Sequence, residues 1–179
     1  MHKLILKLHF ITLLFFLCFG IAGKCFSEDA VSFGYGLGAW NGTGTGHIEN
    51  KKYYDYSVFS YIHEKSFNSV VTLGFEPFLG VVNRPDNGLE LGAKLYIKTY
   101  LPKLAEGKRL YIVAGTGAAY TSIHFKEQGT HGLFILQGGI GYRQNKIFIE
   151  TLFYHYSNGG LANPNRSVNS SLIKVGYYY

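Results

Sequence analysis

The sequence predicts an all-β protein, an eight-stranded antiparallel transmembrane β-barrel. Three observations support this fold class. Apolar residues alternate with small or polar ones along much of the chain, no stretch keeps a 3.6-residue apolar period, and the chain ends on aromatic residues. Alternation with period two is typical of strands that have one apolar face. About 150 residues remain after a predicted leader segment, which is enough for one domain.

The first element is a signal peptide, predicted to span residues 1–27, so that the barrel comprises residues 28–179. Lys3 and Lys7 give the segment a positive start. An uncharged apolar run from Leu8 to Gly23 follows, and it is short for a membrane-spanning helix. These features are typical of a secretory leader.

Cleavage after Ser27 fits the small residues at the positions that signal peptidase reads, and cleavage after Ala22 is the alternative. Removal of residues 1–27 takes away both cysteines, Cys18 and Cys25, so the mature chain has no thiol chemistry. It also removes three lysines and no acidic residue, so the net charge falls from +6 to +3. Because no basic run exists to follow a phosphate backbone, no nucleic-acid partner is predicted.

The first strand shows the alternation most clearly. Between Val31 and Ala39, large apolar side chains alternate with serine and glycine, so one face is bulky and the other very small. A soluble sandwich places bulk in its core, whereas a membrane barrel places apolar side chains outward and small or polar ones inward. A soluble eight-stranded barrel of the lipocalin kind is the alternative for this fold.

Seven further segments continue the pattern, each near the roughly 9–11 residues that a tilted strand needs to cross a bilayer. In one of them Glu90, Lys94 and Lys98 share a face, which predicts an inward ladder of opposite charges. The eight predicted strands are 31–39, 53–63, 69–78, 89–101, 109–124, 132–142, 147–157 and 170–179.

The last strand indicates the location of the barrel. It ends on Tyr177, Tyr178 and Tyr179. A final strand that finishes on an aromatic resembles the assembly signal of bacterial outer-membrane barrels, and tyrosines near strand ends are typical of interfacial girdles. We therefore expect the bacterial outer membrane as the location, with outer-membrane lipids around the barrel.

Connection lengths predict the orientation of the strands. In outer-membrane barrels the periplasmic turns are short and the outer loops are longer. The connections predicted to be outer loops are 41–52, 79–88, 125–131 and 158–169. The connections predicted to be periplasmic turns are 64–68, 102–108 and 143–146. The seventh strand then runs outward, and its end lies at the outer leaflet.

The end of the seventh strand contains the residues with catalytic potential. Residues two apart on a strand share a face at about 6.5–7 Å, so His155 and Ser157 point the same way and can act as base and nucleophile. Glu150 requires the polar lumen, whereas Ile149 and Phe153 suit lipid. Parity therefore places His155 and Ser157 on the lipid-facing side, within reach of an ester below a lipid headgroup.

The segment from His155 to Leu161, followed by Asn163-Pro164-Asn165 and Asn169, resembles the C-terminal signature of the outer-membrane lipid A deacylases, the PagL family. The resemblance extends to an eight-stranded barrel after a signal peptide, and its specific part is residues 155–169. It implies a serine esterase, a carboxylic ester hydrolase that removes the ester-linked 3-hydroxyacyl chain at the 3-position of lipid A. Lipopolysaccharide is then the substrate and partner.

The same resemblance assigns roles to five residues. Ser157 is the nucleophile and His155 the general base, while Asn158 and Asn165 match asparagines around the oxyanion, where donors are worth about 10²–10³ in rate. Members of the family carry a glutamate where this chain has Asn169, fourteen residues after the histidine. An asparagine oxygen can still accept the imidazole N–H, so we expect Asn169 to orient His155 without stabilising the imidazolium by charge.

No metal and no organic cofactor are predicted, because the histidines outside this segment show no ligand-like spacing. Two other functions stay open. A non-enzymatic structural or adhesive outer-membrane barrel has no reason to keep histidine, serine and asparagines in this register. A lipid A acyltransferase of the palmitoyl-transfer type belongs to a family whose barrel follows an amphipathic helix. The sequence also leaves open a homodimer.

Overall fold

The computed structural model describes residues 26–40, 53–84, 86–102, 104–123 and 128–179. Apart from Phe26 and Ser27, the predicted signal peptide lies outside the described residues, and so does the predicted loop 41–52. No helix in the described part of the chain is long and apolar enough to span a membrane. The strands are β1 (Phe26–Trp40), β2 (Tyr53–Ser66), β3 (Val71–Arg84), β4 (Gly88–Tyr100), β5 (Lys108–Thr121), β6 (Gly132–Gln144), β7 (Ile147–Ser157) and β8 (Val168–Tyr178).

The eight strands form a closed antiparallel barrel in sequence order, with β1 paired to both β2 and β8. This confirms the predicted fold class and the predicted number of strands. Closure leaves no sheet edge with unpaired backbone groups, which is the condition for a sheet to cross a bilayer. β1 begins at Phe26, two residues before the predicted mature N-terminus.

One predicted loop is wrong. The connection expected at 79–88 comprises only residues 85–87, because β3 continues to Arg84 and β4 begins at Gly88. The strand passes through Pro77, which is paired with Ala93 on β4. A proline removes only one donor from the ladder, and the alternation of buried and exposed residues continues beyond it.

Glycines on the inner face make room for aromatic rings from neighbouring strands. A Cβ atom on Gly74 would overlap the ring of Tyr96, and one on Gly36 would overlap the ring of Tyr56. Both tyrosines are buried in the lumen, whereas the large apolar side chains on the alternate positions are exposed on the exterior wall. The small face of the first predicted strand is therefore the lumen face, and its bulky face is the exterior.

A chain of alternating acidic and basic side chains crosses the lumen. Six buried residues take part, in this order: Glu64, Lys98, Glu150, Lys174, Glu76 and Lys94. Successive members lie 2.6–3.1 Å apart between nitrogen and oxygen. Three lysines balance three glutamates, so every charge removed from water has at least one opposite partner, which is the condition for burying it.

Tyrosine hydroxyls complete this network. Tyr96 and Tyr178 both donate to the carboxylate of Glu64, at 2.6 and 2.8 Å. The predicted inward direction of Glu90, Lys94 and Lys98 is confirmed by their burial. Among the described residues, however, Glu90 accepts a hydrogen bond from Tyr54 and forms no ion pair with a lysine. The lumen is thus filled with side chains and holds its polar groups together by specific pairing.

We predict that Lys174→Met destabilises the barrel by about 3–5 kcal/mol, because Glu76 and Glu150 lose the cation that they share. Urea titration of the protein in lipid vesicles measures this free energy of unfolding. Lys108→Met removes an exposed lysine and serves as the matched control, with an expected change within about 0.5 kcal/mol. Equal effects of the two substitutions would contradict the assigned role of the lumen network.

Candidate active site at the C-terminal end of β7

The inner and outer faces of β7 are as predicted. Glu150 and Tyr154 are buried in the lumen, and Ile149 and Phe153 are exposed on the exterior wall. Because alternate residues share a face, His155 and Ser157 both lie on the exterior, and each is half-buried. The predicted base and nucleophile therefore share the face that carries the exposed apolar side chains.

His155 forms a hydrogen bond with Asn169 across β7 and β8. The two residues are direct partners in the strand register, and His155 Nδ1 lies 2.8 Å from Asn169 Oδ1. Because Asn169 presents a carbonyl oxygen, the imidazole proton is assigned to Nδ1. Nε2 then carries the lone pair, which is the tautomer that a general base requires.

Ser157 is the last residue of β7, one exterior position beyond His155. On the neighbouring strand β6, the exposed side chains of Phe134 and Leu136 lie opposite Ser157 and His155. No hydrogen bond joins the serine to the imidazole within the described residues, and contacts of this kind commonly tighten only when substrate binds. The pair thus has an apolar wall on one side and Asn169 on the other.

The side chain of Asn158 organises the loop that follows Ser157. It is fully buried, and its Nδ2 donates to the carbonyl oxygens of Gln128, Ala162 and Pro164 at 2.6, 2.8 and 3.2 Å. Its Oδ1 accepts from the Gly160 N–H at 2.8 Å. The side-chain donors of Asn158 are therefore used by this loop and by the connection between β5 and β6.

Asn165 lies next to Asn158 in space, as the sequence resemblance implied. The Asn158 backbone N–H donates to Asn165 Oδ1 at 3.0 Å. This bond orients the Asn165 amide group, which is otherwise exposed, and leaves its Nδ2 as a donor at the surface. The structure thus brings Asn158 and Asn165 together, as it brings His155 and Asn169 together.

Two glycines allow the turn immediately after the serine. Gly159 and Gly160 have φ angles of +63° and +82°, which L side chains rarely adopt. A Cβ atom on Gly159 would also overlap the ring of Phe134. The turn therefore folds closely over the apolar wall beside Ser157.

Gln128 is a site residue that sequence reasoning missed. It is buried in the β5–β6 connection, its backbone carbonyl accepts from Asn158, and its Nε2 donates to the carbonyl of Arg166. These two bonds clamp the β5–β6 connection onto the β7–β8 loop. Nothing in the local sequence indicates this contact, because the partners are about 30 residues or more apart.

A groove of about 430 Å³ opens on the exterior wall beside Asn169. Leu37 and Phe153 form apolar sides, Ser171 lies between them, and Arg84 lines the groove at β3. No group of three His, Cys, Asp or Glu side chains in the described ranges could hold a metal ion. The candidate site is thus a His–Asn pair with an adjacent serine, next to a groove on the lipid-facing side.

Comparisons with known proteins identify the family of this chain and relatives of its fold. The family model described as lipid A 3-O-deacylase (PagL) matches residues 31–178. No curated protein sequence matches significantly. The crystal structure of the outer membrane enzyme PagL is similar, with a TM-score of 0.63, 14% identity, and coverage of 82% of this chain and 98% of that chain. Neisserial surface protein A is also similar, with a TM-score of 0.60, 7% identity, and coverage of 87% and 98%.

Because both identities are low, the likeness to these two structures supports the barrel fold alone. The family model carries the assignment, because it covers nearly all of the described barrel, including His155, Ser157 and Asn169. The chain is an outer-membrane β-barrel that belongs to the PagL family of lipid A 3-O-deacylases.

Proposed function

We propose that this protein hydrolyses the ester-linked 3-hydroxyacyl chain at the 3-position of lipid A, in the outer leaflet of the outer membrane, as a serine esterase. The observation that carries the proposal is the 2.8 Å contact between His155 Nδ1 and Asn169 Oδ1 on the exterior wall, with Ser157 next on the same face. A hydrolase for water-soluble esters has no need to direct its base and nucleophile toward lipid.

The reaction proceeds in two steps. Ser157 Oγ attacks the ester carbon while His155 Nε2 takes the hydroxyl proton, and the protonated imidazole then gives that proton to the sugar oxygen that leaves. Water attacks the acyl-enzyme with His155 again as base, and the 3-hydroxy fatty acid departs as Ser157 regains its proton. Asn169 holds the imidazole in place through both steps.

The developing oxyanion needs donors that the loop has not already used. Asn165 Nδ2 is one such donor, and the Gly159 backbone N–H, directly after the Ser157-Asn158 pair, is a second candidate. Asn158 contributes indirectly, because its side chain fixes the turn and its backbone N–H orients Asn165. This modifies the expectation that both asparagine side chains contact the oxyanion.

Substrate reaches the site laterally from the membrane. The exterior wall is apolar next to the site, at Phe134, Leu136 and Phe153. A charged residue on such a wall costs about 2–4 kcal/mol at mid-bilayer but only about 0–1 kcal/mol near the interface. A histidine and a serine at the end of a strand therefore fit the depth at which the acyl esters of a lipid meet its headgroup.

We expect Ser157→Ala and His155→Ala each to reduce deacylation by at least about 10³-fold, because each removes one half of the nucleophile–base pair. Mass spectrometry of lipid A from cells that express each protein measures the loss of one 3-hydroxyacyl group. As a control, each variant must be present in the outer membrane as folded barrel in the same amount as the wild-type protein. Wild-type turnover by either variant contradicts the mechanism, and a gain in lipid A mass indicates acyl transfer instead.

We expect Asn169→Ala to lower kcat by about 10²-fold, because the imidazole loses the acceptor that fixes its tautomer and orientation. Asn169→Glu keeps an acceptor at the same position and should retain or raise the activity. Initial rates of fatty-acid release in detergent micelles measure both effects. Complete loss of activity in Asn169→Glu contradicts the assignment of Asn169 as the orienting residue.

The clamp between the two loops predicts a role for a residue that touches no substrate. Gln128→Ala should lower activity by about tenfold and make the 158–167 loop easier to cleave in limited proteolysis, because Arg166 loses its donor. Gln144→Ala changes an exposed glutamine at the opposite end of β6 and is the matched control. Unchanged proteolysis of the loop in Gln128→Ala contradicts the clamp.

A further inference from the structure

An apolar groove of about 590 Å³ lies on the exterior wall, at the end of the barrel opposite Ser157. Ile147 and Ile149 on β7 line this groove. In the strand register Ile149 lies between Tyr142 on β6 and Val175 on β8, and both of these residues line the groove as well. The two isoleucines and the valine are exposed. The groove therefore crosses three neighbouring strands and presents apolar side chains to the membrane interior.

The lining of this groove becomes polar toward the rim of the barrel. Gln144, Asn145 and Lys146 line it at the turn between β6 and β7. Lys146 Nζ lies 5.8 Å from the centre of the Tyr177 ring, which also lines the groove. Lysine and tyrosine are typical of the membrane–water interface. The groove thus has a cation and amide groups at the interface and apolar side chains below, which is the order of polarity in a phospholipid.

Hydrogen bonds from three strands hold the turn that contains Lys146. The Asn145 N–H donates to the Gly107 carbonyl, and the Tyr178 N–H donates to the Lys146 carbonyl, both at 2.8 Å. Arg143 Nε donates to the Asn145 carbonyl at 2.7 Å. Across the described part of the chain, no carboxylate lies within ion-pair distance of the Lys146 ammonium. The backbone of Lys146 is therefore fixed at the end of the groove, and its charge is available to an anion.

A second groove, of about 490 Å³, lies beside the first. Both grooves are lined by Ile147, Val175 and Tyr177, and the second extends across β8 to Val31 and Phe33 on β1. Val175 and Tyr177 thus stand between two apolar channels. Channels on the two sides of one strand are separated by one to two strand spacings, about 5–10 Å, which two acyl chains joined at one glycerol can span.

The two grooves lie in the leaflet opposite the candidate active site. The connection between β6 and β7 consists of Asn145 and Lys146 alone, and turns this short are typical of the periplasmic side of outer-membrane barrels. β7 begins beside this turn at Ile147 and reaches Ser157 at its other end. The grooves therefore face the inner leaflet, where the lipids within reach are phospholipids.

We propose that this end of the barrel binds one anionic phospholipid of the inner leaflet. Its phosphate lies at Lys146, and its two acyl chains lie on either side of Val175 and Tyr177. A lysine ammonium is a point charge that binds phosphate oxygens, and a lysine near a membrane surface attracts anionic lipid. The site is separate from His155 and Ser157, so it goes beyond the proposed function and does not depend on it.

The charges around the grooves favour an anionic headgroup over a zwitterionic one. The lining of both grooves contains no carboxylate that could pair with the ammonium of a zwitterionic headgroup. Asp29, which precedes Val31 on the exterior of β1, is already engaged with His63 and Tyr61 at 2.8 and 2.7 Å. Phosphatidylglycerol is therefore expected to bind better than phosphatidylethanolamine.

The test measures the binding of these two phospholipids to the folded Ser157→Ala protein in detergent micelles, a background in which the proposed esterase cannot hydrolyse a bound lipid. Native mass spectrometry gives the fraction of protein that retains one lipid at each lipid concentration. We expect phosphatidylglycerol to bind about fivefold more tightly than phosphatidylethanolamine, as for one cation near the surface. Adding Lys146→Gln should lower the affinity for phosphatidylglycerol about fivefold and remove this preference.

Lys65→Gln is the matched control, because it removes an exposed lysine from β2 at the same end of the barrel and should keep the full preference. Ile149→Trp narrows the groove without a change of charge and should weaken both phospholipids alike. Equal affinities of Lys146→Gln and Lys65→Gln for phosphatidylglycerol overturn the proposal, and so does phosphatidylethanolamine that binds as tightly as phosphatidylglycerol. A lipid-free dimer that Ile149→Trp dissociates also overturns it, because a second copy of the chain then occupies the groove.

Discussion

The ion pair between Glu150 and Lys174 is the interaction on which the rest of this structure depends. It lies in the middle of the charge network in the lumen, and its nitrogen–oxygen distance of 2.6 Å is the shortest in that network. A buried carboxylate without a cation would be strongly destabilising, so Glu150 fixes which face of β7 points inward. With that face fixed, alternation leaves His155 and Ser157 on the exterior.

The same pair also fixes the register of the site. Glu150 faces Lys174 and His155 faces Asn169 in a single uninterrupted ladder between β7 and β8. A slip by one residue would separate both pairs and turn every side chain of β7 to the other face. The lumen network and the His–Asn contact are therefore two consequences of one strand pairing, on opposite sides of the sheet.

Sequence reasoning succeeded where one periodicity decided the outcome. Alternation predicted eight strands and the correct face for His155. The family resemblance predicted the contact between Asn169 and His155. The predicted loop at 79–88 was wrong, because the alternation of β3 continues past Pro77. The contact of Gln128 with Asn158 was not predicted at all. The clamp joins two loops through backbone carbonyls, which accept hydrogen bonds irrespective of side-chain identity, so sequence carries little information about such partners.

A neutral orienting residue suits the place where this site lies. A carboxylate beside His155 would stabilise the imidazolium more strongly, but it would also face lipid, where a charge costs more than an amide. In the proposed mechanism, Asn169 keeps the tautomer at a lower desolvation penalty, and more of the transition-state stabilisation comes from the donors around the oxyanion. The dense hydrogen bonding of the 158–165 loop, centred on the buried Asn158, is consistent with that division of roles, because preorganised donors act only when they are rigid.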